Sequence, residues 1–159
     1  MGAGEAGVLD LIFLSPLKRH ADVGLLLLRL MVGGFLVWGV WDNISSAAHM
    51  NEFVRFLAKH HFPAPELMAP LSVAAQFSVG LAFIFGLFTR WAGIICAVNF
   101  IVAIVMVDRL GGIRGSFPSA CLVMIGLYLA LYGAGRFGFD SLFERGRTRG
   151  PTGRHHSLG

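Results

Sequence analysis

The residue that most constrains the chemistry of this chain is Arg29, a guanidinium set inside the apolar run Val23 to Trp41 (VGLLLLRLMVGGFLVWGVW). A charge in such a run costs at least ~2.5 kcal/mol on insertion scales, so it either faces a partner or cavity or snorkels to the headgroups. Gln76, Asn99 and Tyr128 occupy three further apolar runs. Counted at about 1.5 Å per residue from one common end, Arg29 lies about 9 Å deep, Asn99 about 12 Å, Gln76 about 18 Å and Tyr128 about 9 Å. Each amide alone reads as interhelical packing glue worth about 0.6 kcal/mol. Together the four outline a polar pocket in a helical bundle, able to hold a quinone carbonyl or an anion.

Other chemistries find less support. Haem in a bundle calls for an axial His inside a span, and none of the four runs contains one. His49, His60 and His61 fall in one loop, and His155 and His156 near the C-terminus. Adjacent His60 and His61 point to different faces of a helix, so no metal site is expected. Cys96 and Cys121 sit about 8 Å and about 20 Å deep on the same count, too far apart for a disulfide, and read as packing residues. No P-loop, dinucleotide fingerprint, nucleophile elbow or paired-carboxylate site is present.

The elements that must position these groups follow from hydropathy. Of 159 residues, 55% are hydrophobic and 14% charged, and the apolar residues come in blocks rather than at an amphipathic period. Four blocks have bilayer length: residues 23–41, 67–88, 91–107 and 117–134. The expectation is an all-α membrane protein, a four-transmembrane-helix bundle spanning residues 23–142. The first run lies too far in, and lacks the small-residue cleavage pattern, for a secretory signal peptide. Thr89 and Arg90 read as the turn between the second and third spans. Between the first two spans, Met50, Phe53, Val54 and Leu57 recur at helical spacing opposite Asn51, Glu52, Arg55 and Lys59, which predicts an amphipathic interfacial helix ended by Pro63 and Pro65. Residues 1–22, with apolar Val8 to Leu17, read as a second interfacial segment, and 143–159 as a basic, disordered tail.

Charge sets the orientation. With the N-terminus in the cytoplasm, that side collects eight basic residues (Lys18, Arg19, Arg90, Arg136, Arg145, Arg147, Arg149, Arg154) against four outside (Arg55, Lys59, Arg109, Arg114). Both termini are therefore expected inside. The tail is short, Gly-rich and without interleaved aromatics, so its expected contact is anionic lipid and not nucleic acid. Gly126, Ala130 and Ala134 recur every fourth residue and offer a small-residue face to another helix, while Trp38, Trp41 and Trp91 mark the interfaces.

Four phrases carry a resemblance: LLLLRLMVGGFLVWGVWDN, RFLAKHHFPAPELMAPL, QFSVGLAFIFGLFTRWAGIICAVNFIVAIV and GAGRFGFDSL, running from about Leu25 to Leu142. Their most specific parts are Arg29, the Gly86 to Arg90 turn and the Gly133 to Asp140 ending, and on these the chain resembles the DoxX/DoxD family. The resemblance implies a small four-helix bacterial inner-membrane protein. One branch of that family looks like the membrane subunit of thiosulfate:quinone oxidoreductase, which implies a subunit of a redox-linked membrane complex, incomplete as an enzyme alone, with quinone as its ligand. Arg90, Arg136 and Asp140 belong to the resembling motifs, and Asp140 is expected to cap a helix or pair with Arg136. The chain departs from the family where members commonly carry Glu in the second span: Gln76 can hydrogen-bond but cannot take up a proton. A structural subunit of a larger membrane complex, without ligand or catalysis, is the competing expectation.

Overall fold

The computed structural model describes residues 19–141, and these are helical nearly throughout. The helices are α1 (Ala21–Ser45), α2 (Ala47–Lys59), α3 (Pro65–Phe85), α4 (Thr89–Met106) and α5 (Gly112–Tyr132), with a 3₁₀ turn at Asp108–Gly111 before α5. Four of them, α1, α3, α4 and the segment Asp108–Tyr132, are long and apolar enough to cross a bilayer. Their outer faces expose Leu27, Met31, Phe35, Ile94, Val98, Ile101, Met124 and Leu131, a coat that water would not tolerate and lipid does. The protein is thus a multi-pass, all-α membrane protein. The expected segment at residues 1–22 lies almost wholly outside the described residues, and the tail at 143–159 lies wholly outside them.

The bundle is two helical hairpins built alike. The most extensive interfaces are α4 with α5 and α1 with α3. In each pair two glycines meet at the crossing. A Cβ on Gly33 would sit 2.6 Å from the Gly80 carbonyl oxygen, and one on Gly80 would sit 2.8 Å from that of Gly33. Likewise a Cβ on Gly126 would meet the Gly93 carbonyl at 2.8 Å, and one on Gly93 the Ala130 nitrogen at 2.7 Å. Bare backbone lets each pair approach closely enough for dispersion contacts to hold it, since lipid supplies no hydrophobic drive. The small-residue face of Gly126 and Ala130 therefore packs on α4 of the same chain. Ala134 does not extend it, because α5 stops at Tyr132 and the chain turns at Gly133. Between the hairpins Leu25, Val32, Leu36, Val79, Phe83, Cys96, Leu122 and Leu129 form the core.

Helix ends depart from the hydropathy boundaries for local reasons. α3 stops at Phe85, not Phe88, because Gly86 takes the left-handed conformation (φ 65°) that closes a helix, and Phe88 follows at φ 51°. Thr89 and Arg90 are consequently not the turn but the first residues of α4. Pro65 does not end α2; it opens α3 at a position that needs no backbone N–H. The strongly amphipathic α2 lies between the first two spans, with Leu57 buried and Asn51, Glu52, Arg55 and Lys59 exposed.

Candidate functional site

The four intramembrane polar residues divide into groups that the sequence alone did not separate. Arg29 is fully buried and ties the terminal end of the bundle together. Its Nε donates to the Phe83 carbonyl at 2.9 Å and Nη2 to that of Ile84 at 3.4 Å, and Nη1 donates to the Ala134 carbonyl. These are the orphan acceptors at the end of α3 and the carbonyl just past α5, so the guanidinium acts as a C-terminal cap for its neighbours. Gly86 and Gly138 stand aside for it: a Cβ on Gly86 would meet the Gly138 Cα at 2.6 Å, and one on Gly138 would meet Arg29 Nη1 at 3.2 Å. Arg29 neither snorkels nor faces Gln76.

The motif residues complete the same lock. The Asp140 carboxylate accepts the Phe88 N–H at 2.7 Å and the Thr89 N–H at 2.9 Å, capping the start of α4, while the Asp140 N–H donates to Gly86 at 3.0 Å. Arg90, on α4, donates to the Leu131 carbonyl at 2.6 Å and the Ala130 carbonyl at 3.2 Å, capping α5 as Arg29 caps α3. Arg136 pairs with Asp22 (3.9 Å) rather than with Asp140. Tyr128 stands apart from these groups among the described residues. It is two residues from Gly126, on the opposite side of α5, and its exposed ring stacks on Tyr132 at 5.5 Å.

Gln76 and Asn99 do come together, through a residue the sequence reading passed over. Gln76 Nε2 donates to Ser72 Oγ at 3.2 Å, and Ser72 Oγ donates to Asn99 Oδ1 at 3.0 Å. Ser72 lies four residues before Gln76, one turn along the same face, and that spacing was the available signal. The chain of three lines a lateral groove of about 530 Å³ between α2, α3 and α4. Phe53, Phe56 and Leu57 of α2 wall it on one side, Ile95, Val98 and Phe100 of α4 on the other, and Asp108, which accepts a hydrogen bond from Ser119, lies at its rim.

The groove's chemistry is amphoteric and chargeless at the amides. With the bonds as described, the Gln76 carbonyl and the Asn99 amino group have no protein partner among the described residues. Amide ends can exchange and a hydroxyl can rotate, so the whole chain can reverse and still leave one donor and one acceptor free. Cys96 lies behind the groove, buried, and both it and Cys121 are free thiols. His60 is committed locally, Nδ1 lying 2.8 Å from the Phe56 carbonyl.

Sequence comparison finds a membrane-protein relative. Over 133 residues the chain is 25% identical to the inner membrane protein YqjF of Escherichia coli (strain K12), covering 81% of this chain and 98% of that protein. No solved structure matches. A sequence model described as DoxX matches residues 24–109, from the start of α1 into the 3₁₀ turn. The match takes in Arg29, Gln76, Asn99 and Arg90, and the chain belongs to the DoxX family.

Proposed function

We propose that this protein is a bacterial inner-membrane subunit of a redox-linked complex that binds a quinone-type molecule in the groove between α2, α3 and α4. The observation that carries the reading is the pairing of apolar walls with one short polar chain, Gln76–Ser72–Asn99, in a groove open toward lipid. A lipophilic ligand would reach it laterally. Its oxidised headgroup offers carbonyl acceptors and its reduced headgroup hydroxyl donors, and the reversible amide chain can serve either. Neither amide can exchange a proton at this depth, so the chain's own part is to bind and orient, and electron transfer belongs to a partner protein. The inner-membrane location is supported by the relative's name, and cytoplasmic termini by the distribution of Arg and Lys. A purely assembling role would draw on the small-residue face of α5, which Gly93 already fills.

The test is titration of the purified full-length chain in nanodiscs with a short-chain benzoquinone. Replacing Gln76 and Asn99 together by Leu is expected to weaken binding about tenfold, the value of one to two hydrogen bonds. Unchanged affinity in the folded double variant would sink the proposal.

A further inference from the structure

The terminal end of the bundle holds a second groove, of about 810 Å³, lined by Phe88, Arg90, Trp91, Tyr132, Gly133 and Asp140 among others. Arg90 is its cation, and the guanidinium is used on one edge only. Nη1 is spent on the Ala130 and Leu131 carbonyls and Nη2 reaches Tyr132 at 3.5 Å, which leaves Nε–H and the second Nη2–H. That free edge lies over Gly133, where a Cβ would come within 3.4 Å of Nε and 3.5 Å of Nη2. Glycine there serves the left-handed turn (φ 89°) and also leaves the fork uncovered. Asp140 also lines the groove, but both of its oxygens are occupied by the Phe88 and Thr89 amides. Among the described residues Arg90 has no carboxylate partner; the sole ion pair is Arg136 with Asp22.

We infer that this groove is a binding site for the phosphate of an anionic phospholipid, held by the free Nε/Nη2 edge of Arg90. Three features of its surroundings fix lipid as the occupant. The site lies at the ends of α4 and α5, at headgroup level; Phe88, Trp91 and Tyr132 present exposed rings around it, as residues at a bilayer interface do; and the groove opens beside the lipid-facing side of α5. A guanidinium pre-positioned by helix carbonyls needs no reordering to accept two phosphate oxygens side by side. This groove shares no lining residue with the groove between α2, α3 and α4, which lies toward the opposite end of the bundle.

Trp91 supplies the reporter. In the full-length chain carrying Trp38→Phe and Trp41→Phe, Trp91 is the one remaining tryptophan. Reconstituted into phosphatidylcholine vesicles, it is quenched by lipid brominated on the acyl chains, and the comparison is brominated phosphatidylglycerol against brominated phosphatidylcholine. The expected exchange constant favours phosphatidylglycerol about fivefold, as one cation near a headgroup provides. It is expected to fall to about one in Arg90→Gln and to stay at about five in Glu144→Gln, Glu144 being the next carboxylate along the chain after Asp140 and lying outside the described residues. Because Arg90 also caps α5, the value for the chain with Arg90 intact decides first: a constant of one there overturns the inference. So does a preference that survives Arg90→Gln, or one that emerges only in Glu144→Gln, which would show the edge held by the chain's own carboxylate.

Discussion

Arg29 Nε donates to the carbonyl of Phe83 at 2.9 Å, joining two buried residues 54 positions apart. With its bonds to Ile84 and Ala134, this makes the most costly residue in the first span a structural tie between α1, the end of α3 and the segment just past α5. Arg29→Gln is expected to lower stability by at least ~3 kcal/mol, because it removes charge-assisted bonds and strands buried carbonyls. Arg29→Lys should recover only part, since one ammonium cannot reproduce the fork. Thermal unfolding in mild detergent measures both. Quinone affinity of the folded Arg29→Gln fraction should be unchanged, and an intact melting temperature with lost binding would make Arg29 a ligand group instead.

The glycine crossings separate by geometry. Ala at Gly33 or Gly93 forces a Cβ against backbone of the neighbouring helix, which cannot step aside, and each is expected to cost about 1–3 kcal/mol. Gly34, one residue along, has nothing within 4 Å, so Gly34→Ala should be neutral or stabilise by about 0.5–1 kcal/mol through helix propensity. Parallel melting curves of the three variants decide it; equal effects at Gly33 and Gly34 would contradict the crossing.

Much of this was legible in the sequence. Four spans and the amphipathic α2 follow from block length and from the spacing of Met50, Phe53, Val54 and Leu57, because hydropathy and periodicity are properties of the chain itself. The helix ends were not, since Gly86, Phe88 and Asp140 set them by backbone conformation and by a carboxylate more than fifty residues away. Depth counting placed Arg29, Asn99, Gln76 and Tyr128 at comparable levels but could not give their azimuth. Azimuth puts Arg29 among carbonyls, Tyr128 toward lipid, and only Gln76 with Asn99. Ser72 is inconspicuous in the sequence because a serine in an apolar run carries little hydropathic signal, although its four-residue offset from Gln76 places it on the same helix face.

Ser72 therefore becomes the most informative single site in the groove. Ser72→Ala removes the middle link while leaving both amides in place, and is expected to weaken benzoquinone binding about fivefold at a stability cost of ~1 kcal/mol or less. Gln76→Glu tests protonation directly. Neutral Glu can replace the amide's donor and acceptor, whereas the charged form is penalised by burial in the groove. Affinity and stability of this variant should both decline as pH rises, while the parent chain stays flat over the same range. A pH-independent Gln76→Glu variant would place this position in contact with water rather than in the groove.

Asp140 offers the sharpest separation of a cap from a charge. Its two oxygens take the Phe88 and Thr89 amides, and Asn can satisfy one of these with its carbonyl but not both. Asp140→Asn should therefore cost about 1 kcal/mol and Asp140→Ala about 2 kcal/mol, in the range of lost N-caps. The loss should also be local. Amide hydrogen exchange is expected to rise first at the start of α4 and at Gly86, whose carbonyl accepts the Asp140 N–H, with the Gln76–Ser72–Asn99 end unaffected. Were Asp140 instead chiefly a counter-charge to the buried Arg29, Asn and Ala would destabilise equally, and exchange would rise along α1 and α3 around Arg29 before it rose at the start of α4.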